Sequence, residues 1–387
     1  MISRLSAWIT ARSVPSTYTG RTLIIASHRE LARAPDWLAG LGEALGPLLL
    51  GVSDAPRDRE AAVPGAPDDL PAVALPPELA PVRLARLRPR AVVLLGPVDL
   101  PGEALRAVVA AGARVAWVNA EGPAPEGLPF ATVLAARDGA VDPALGAETT
   151  GDPLAGAISL PPAPEDPDPE RAFCERFAEY RERGHPILLA PNTGPDEEAF
   201  AFAVLFAVLQ KTAALLLLAP ADPERHEPVY RDAIKYSLPI VRHNRFMTSY
   251  VPRKNRVYYI EDPQTLQAAY ACADITLPGG TLAATRTPPD LARPLACGSA
   301  VVTGPAASGD APEDEVRLRR AAETTGLIRR GEDPDAVAAA ILETLSTLPD
   351  AGQRQARLTR WLERQATARD RVAARLAEHL AAAPAPS

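Results

Sequence analysis

The stretch Ala271–Pro305, ACADITLPGGTLAATRTPPDLARPLACGSAVVTGP, decides the fold. It reads as a buried strand over Asp274–Leu277, a glycine turn over Pro278–Thr281, a loop, and a short helix over Leu291–Cys297. A second buried strand over Ala300–Thr303 follows, closed by Gly304 and Pro305. Two apolar runs joined through a helix predict a βαβ unit of a parallel sheet. Glycines directly after a strand let a ligand approach the backbone, and free N–H groups at the next helix start favour an anion. The stretch therefore predicts a pocket for a phosphate or a nucleotide sugar.

The same rhythm runs outward in both directions. Before the pocket stretch come strands at Pro186–Ala190, Ala214–Ala219, Pro239–Arg242 and Val257–Ile260, with helices at Pro195–Gln210, Pro223–Tyr236 and Thr265–Cys272. After it come a strand at Leu327–Arg330, a helix at Asp335–Leu348 and a long charged helix at Ala356–Ala382. The first half alternates likewise: strands at Leu23–Ala26, Pro47–Val52, Ala91–Gly96 and Arg114–Asn119, and helices at Glu30–Ala44 and Gly102–Ala111. Phe130–Ala135 and Ala157–Leu160 are weaker strand candidates, and residues 54–81 read as loop. Between the halves lies PPAPEDPDP at Pro161–Pro169, an extended acidic linker that cannot pack. Two βα-alternating halves predict an α/β protein of two doubly wound domains facing a cleft. The domains are placed at 1–165 and 166–350, with 351–387 as a C-terminal helix and tail.

At 387 residues two cores are expected, and 47% apolar content is ample to fill them. A net charge of −7 argues against a nucleic-acid partner. Cys174, Cys272 and Cys297 are odd in number and far apart, with no CxxC. Cys272 and Cys297 flank buried strands and read as small core residues; no disulfide framework or zinc site is suggested, which fits a reducing cytoplasm. The N-terminus MISRLSAWITARSVPSTYTG is a poor signal peptide; it is a loosely ordered leader or a short surface helix touching a membrane.

Four places could carry chemistry. Glu30 follows a strand and opens a helix, so its carboxylate falls at the carboxyl edge of the sheet, either as a general base or as a first-turn acid complementing the helix dipole. Ser27 and His28 stand beside it and could orient a substrate. APNTGPDEE at Ala190–Glu198 is a second edge turn, or an ordinary cap. In APADPERHEP, Arg225 could pair with a phosphate, or with a carboxylate in a surface salt bridge. The basic run Val241–Tyr259 interleaves Arg242, His243, Arg245, Arg253, Lys254 and Arg256 with Phe246, Tyr250, Tyr258 and Tyr259, and reads as a solvated loop or an anion site. No P-loop, HExxH or G-x-S-x-G occurs, and no two histidines have metal-ligand spacing.

Set in order, these segments resemble the 3-deoxy-D-manno-octulosonic acid (Kdo) transferases, glycosyltransferases of the GT-B fold. The segments are ASHRE at Ala26–Glu30, WVNAE at Trp117–Glu121, APNTGPDEE, PADPER at Pro220–Arg225, YACAD at Tyr270–Asp274, PGGT at Pro278–Thr281 and PLACGSAVVTGP at Pro294–Pro305. The likeness spans Leu23 to Leu348. Where the family has N-P-L-E-P, this chain has Asp290-Leu291-Ala292-Arg293-Pro294.

The resemblance implies GT-B geometry, with two Rossmann-like domains. It implies CMP-Kdo as donor, bound by Arg225, Gly279, Gly280, Thr281, Asp290 and Arg293, with no metal and no cofactor. Glu30 would be the general base of an inverting transfer. A lipid A-type acceptor at the membrane surface would lie on the side of Ser27 and His28. The setting implied is lipopolysaccharide biosynthesis in the cytoplasm, with peripheral contact on the inner membrane's cytoplasmic face. Two alternatives stay open: a lapsed paralogue serving as a binding module, and a transferase using another nucleotide sugar.

Overall fold

The structure is a computed structural model that describes residues 14–56, 61–97, 99–125, 127–162, 168–245, 250–284, 287–306 and 311–380. Most of the N-terminal leader, the centre of the Pro-rich linker and Phe246 lie outside the described residues. The chain divides into two compact units. One comprises Met1–Ile158 with Glu363–Ser387, and the other Ser159–Leu362.

The first unit is a seven-stranded parallel sheet. Its strands are β1 (Thr22–Ala26), β2 (Leu48–Val52), β3 (Ala72–Ala74), β4 (Ala91–Leu95), β5 (Arg114–Val118), β6 (Thr132–Ala135) and β7 (Glu148–Thr149), in the order β3-β2-β1-β4-β5-β6-β7. TLIIA, LLLGV and AVVLL are buried along their whole length. That is the pattern of strands covered on both faces by helices. One apolar layer includes Ile24, Leu50, Val93 and Leu134 with Leu38 and Leu41 of the helix Pro35–Leu45. The other includes Leu23, Ile25, Val92 and Val115 with Leu84 and Leu105.

Several local expectations shift. The helix expected over Glu30–Ala44 is two helices, His28–Leu31 and Pro35–Leu45, because Pro35 has no N–H to continue the first and instead starts the second. Residues 72–74 form a strand on β2 rather than loop, registering Leu50 against Ala72. The helix Ala80–Leu87 begins at the end of that stretch. Ala157–Leu160 is not a strand; the last strand is Glu148–Thr149, paired with β6. The C-terminal helix is two, Ala351–Ala366 and Ala368–Leu380. The second of these delivers Val372, Leu376 and Leu380 to the core of the first unit.

The second unit repeats the design with β8 (Ile187–Thr193), β9 (Leu215–Pro220), β10 (Ile240–Arg242), β11 (Val257–Tyr259), β12 (Ile275–Thr276), β13 (Ala300–Thr303) and β14 (Arg329–Arg330). The order is β10-β11-β9-β8-β12-β13-β14, again all parallel. The βαβ unit read from Ala271–Pro305 is β12, the helix Ala292–Ala296 and β13, with Ile275 registered on Ala300. Two doubly wound, Rossmann-like α/β units are the make-up of the GT-B class expected above. In each sheet the strand order reverses beside the first strand, between β1 and β4 and between β8 and β12; the second sheet reverses again at its edge, where β11 lies between β9 and β10. Open α/β sheets hold ligands at such points.

The cysteine reading is corrected. Cys174, on the helix Asp168–Glu175, is disulfide-bonded to Cys272, which ends the helix Pro263–Cys272. The two lie 98 residues apart in sequence, so no motif announces them, but the packed helices bring their Cα atoms to 5.2 Å. That separation suits a bridge. Among the described residues no helix is long and apolar enough to cross a membrane.

Candidate functional site

Two clusters stand at the reversal points beside β1 and β8, one in each unit. In the first unit, β1 ends at Ala26 and Ser27 caps the short helix that follows, its hydroxyl accepting the Glu30 N–H at 3.2 Å. This turn places Glu30 over the carboxyl ends of β1 and β4. A Cβ added at Gly96, just past β4, would lie 3.9 Å from the Glu30 Cγ. Arg33 reaches Glu30 at 2.8 Å with one guanidinium nitrogen and Asp152 at 2.6 Å with the other. Asp152 is fully buried and is held further by the Asn119 amide at 2.8 Å and the Leu154 N–H at 3.0 Å. Gln365 accepts the Asp152 N–H and donates to its carbonyl oxygen, so the C-terminal segment ties the cluster from behind. Burial opposes the charge on Arg33, yet Asp152 and Glu30 outweigh it and hold its pKa above the ordinary value. Glu30 keeps a quarter of its side chain exposed.

A cavity of about 600 Å³ opens at the carboxyl ends of β4 and β5, lined among others by Pro97, Asp99, Arg106, Trp117 and Glu121. The indole of Trp117 donates to the Gly96 carbonyl at 2.9 Å, but neither Gly96 nor Glu30 lines this cavity. Ser27 and His28 do not line this cavity. Ser27 is spent on the cap, while the His28 N–H donates to Asp54 and its Nε2 lies 3.0 Å from the Ala62 carbonyl oxygen.

In the second unit the turn after β8 runs through Gly194 into the helix Glu197–Leu209, and its two leading acids are both buried. Glu197 accepts N–H groups from Gly194 at 2.8 Å, Gly280 at 3.0 Å and Leu282 at 2.9 Å. The glycine turn after β12 is thus folded around an internal carboxylate. Gly279 donates to the Pro191 carbonyl, and a Cβ there would come within 2.1 Å of the Asn192 carbonyl oxygen. Gly280 has φ +80°, and a Cβ there would meet the Thr287 carbonyl oxygen at 2.2 Å. Thr281 is fully buried, its hydroxyl donating to the Pro278 carbonyl at 2.7 Å.

Glu198, the next residue, holds Arg225 in a two-pronged pair at 2.9 and 2.8 Å. That hydrogen bonding raises the Arg225 pKa. The segments after β8, β9 and β12 therefore meet through two consecutive glutamates. Arg225 is held by Glu198 and the Gly279–Thr281 turn by Glu197, two neighbouring residues of one helix start. Asp290 and Arg293 face each other, the Arg293 N–H donating to Asp290 at 3.0 Å and its guanidinium reaching Gln267.

The N–H groups expected to be free for an anion are taken. Those of Gly280 and Leu282 go to Glu197, and that of Leu291, at the helix start, goes to Glu315 at 3.2 Å. The physical reason is that buried N–H groups must be satisfied, and here side-chain carboxylates supply the acceptors. Each edge also keeps one buried polar atom without a partner among the described residues: Asn119 Oδ1 in the first unit and Thr193 Oγ1 in the second. A second cavity, of about 580 Å³, is lined by Arg181, His185, Asp274 and Arg354. It lies at the opposite, amino ends of β8 and β12 and so belongs to neither cluster.

No protein-family model matches the chain. No curated protein matches it either. Among solved structures, the C-terminal CMP-Kdo binding domain of WaaA from Acinetobacter baumannii is similar at 16% identity, covering 51% of this chain and 98% of that one, with a TM-score of 0.39. Anabaena Alr3699/HepE in complex with UDP is similar at 11% identity over 92% of this chain and all (100%) of that one, TM-score 0.35. An alpha,alpha-trehalose-phosphate synthase (UDP-forming) from Burkholderia vietnamiensis is similar at 12% over 93% of this chain and 100% of that one, TM-score 0.37. Likenesses this remote do not choose a donor.

Proposed function

We propose that the protein is a glycosyltransferase that takes a nucleotide-sugar donor on its second unit and an acceptor hydroxyl on its first. The observation that carries this reading is positional. ASHRE and Gly96 meet at one sheet reversal, and APNTGPDEE meets PGGT at the other, which is where such sheets bind ligands. Glu30 serves as the base, deprotonating the acceptor hydroxyl as the nucleotide leaves, a contribution of roughly 10²–10⁴-fold. A cavity at the carboxyl ends of β4 and β5 of the same unit, with Asp99, Glu121 and Trp117, suits a polyhydroxylated acceptor. Arg225 is the cation for the donor phosphate; its fork is fixed by Glu198 and about a third of its side chain is exposed (29%). The glycine-turn amides play a structural part instead. By resemblance the donor is CMP-Kdo and the acceptor a lipid A precursor.

One observation favours a second reading. A carboxylate already fills the cradle of the glycine turn, as it would in a paralogue that keeps the fold as a binding module. Calorimetry with CMP-Kdo and with UDP-sugars, alongside turnover by wild type and Glu30→Gln, separates the two. Turnover lost in Glu30→Gln supports the transferase. Absence of binding to every nucleotide sugar tried would leave the binding-module reading. Binding of a UDP-sugar but not CMP-Kdo would keep the transferase and replace the donor.

A further inference from the structure

Three helices cover one side of the second sheet: His226–Lys235, Glu197–Leu209 and Pro334–Thr347. Glu197–Leu209 is the middle one. Its Phe202 and Phe206 rings lie 6.0 and 6.3 Å from that of Tyr236, which closes the first helix, and Pro334–Thr347 packs along its other side. A helix with an outer face places charge toward water. This one, EEAFAFAVLFAVL, has no charged residue after Glu198. It turns Ala199, Ala203 and Phe206 outward, and Phe206 is 40% and Tyr236 46% exposed. Ala336 and Ala339, also exposed, extend the uncharged surface onto the third helix.

Charge gathers at the ends of this layer, with opposite signs at opposite corners. Each helix follows a parallel strand, so it starts at the carboxyl edge of the sheet and finishes at the amino edge. Lys211 and Lys235, both exposed, stand where the middle and first helices finish. One acid, Asp232, is exposed beside them, while Arg231 and Glu227 pair with each other. Glu332, Asp333 and Asp335, all exposed, stand where the third helix begins, and Asp196 where the middle one begins. Glu332 is paired with Arg330, which leaves Asp196, Asp333 and Asp335 to set the sign there. Glu343 of the third helix is also exposed, but it pairs with Arg329 of the edge strand β14. The face is thus apolar along its middle, basic at one corner and acidic at the opposite one.

We propose that a second copy of the chain covers this face, in a two-fold dimer. A two-fold axis lying in the plane of the face makes the patch meet itself. Set oblique to the helices, it exchanges the two charged corners. Lys211 and Lys235 of one copy then lie over Glu332 and Asp335 of the other, and the reverse holds at the far corner. Phe206 and Tyr236 lie over Ala336 and Ala339, large side chains on small ones, with Ala203 near the axis. A copy of the same face therefore supplies both the relief under the aromatics and the opposite charges at the corners. The middle helix, at 13 residues, is about 20 Å long, and three helices about 10 Å apart give roughly 600 Å² in plan. With the relief of the side chains added, that is in the range of a standard interface, about 800 Å² per partner. The inference does not depend on which sugar, if any, is transferred.

The test is sedimentation velocity of the full chain between about 1 and 100 μM, where a dimer is expected. Phe206→Asp and Ala203→Arg are each expected to weaken the dimer about tenfold or more, with the circular dichroism of the wild type. Lys211→Glu/Lys235→Glu and Glu332→Lys/Asp335→Lys are each expected to weaken it too, because like charges then meet. An equimolar mixture of these two charge variants is expected to regain the dimer, because opposite charges meet again at both corners. A wild type that stays monomeric throughout overturns the proposal, whatever else covers the face. A dimer that survives both Phe206→Asp and Ala203→Arg also overturns it and moves the contact elsewhere on the chain. A mixture that stays monomeric overturns the pairing of corners, and the two-fold arrangement with it.

Discussion

The Glu197 carboxylate lies 3.0 Å from the Gly280 N–H, so the glycine turn of the second unit is closed around an anion that belongs to the protein. Glu197→Ala removes the acceptor of several buried N–H groups at once. A loss of about 3 kcal/mol or more is expected in denaturant unfolding. Glu197→Gln keeps the shape but points an amide donor at other donors, and is expected to cost about 2 kcal/mol. If Glu197→Ala unfolds at the wild-type midpoint, the carboxylate is not structural.

Glu30 and Arg33 separate function from stability. Glu30 is partly exposed, so Glu30→Gln is expected to lower turnover by about 10²-fold or more with little change in melting temperature. Arg33→Ala strands the fully buried Asp152 without its cation, and about 3–5 kcal/mol of stability is expected to go with it. Equal stability losses in the two variants would place Glu30 in the scaffold.

Arg225→Lys tests geometry rather than charge. Lysine is a point charge and cannot reproduce the two-pronged pair with Glu198. Donor affinity in calorimetry is expected to fall by about tenfold. Wild-type affinity in Arg225→Lys would show that charge alone suffices there.

The Cys174–Cys272 bridge makes a counting prediction. Denatured, unreduced protein is expected to show one titratable thiol, that of Cys297, and three after reduction. Closing a loop of 98 residues restricts the unfolded chain, so Cys174→Ser/Cys272→Ser is expected to lose about 4 kcal/mol. Three thiols before reduction would exclude the bridge.

Glu315 makes a pH prediction. Burial raises its pKa, and the Leu291 N–H only partly offsets this. A carboxyl raised on folding contributes stability that is fully present below its unfolded value, about 4.3, and is lost as pH rises through the folded value. Glu315→Gln mimics the neutral acid and is expected to flatten that decline above about pH 4. Parallel stability curves for the two proteins would refute the assignment.

The fold was legible because its signals are local. TLIIA, AVVLL and ILLA are short apolar runs bounded by turns, and each is a central strand. Ala72–Ala74 was hidden because three residues among prolines and aspartates carry no period of their own; pairing with β2 makes them a strand. The edge positions of Glu30, Arg225 and Gly280 were legible from strand-then-turn grammar. Their partners were not. Glu197 and Glu198 look like ordinary first-turn acids, and only packing shows that both are buried and what each holds. Asp152 and Gln365 lie 213 residues apart, and Cys174 and Cys272 lie 98, separations over which one sequence offers no signal.

The return of the last helix to the first unit sets an order of assembly. A chain emerging from the ribosome ordinarily finishes its N-terminal domain first. Here the second unit is one continuous stretch, Ser159–Leu362, and is the first that can close completely. Ile24, Leu50 and Leu134 are synthesised early but gain Val372, Leu376 and Leu380 only when the final helix arrives. A nascent chain therefore carries an open apolar surface on the first unit until Val372, Leu376 and Leu380 have been made.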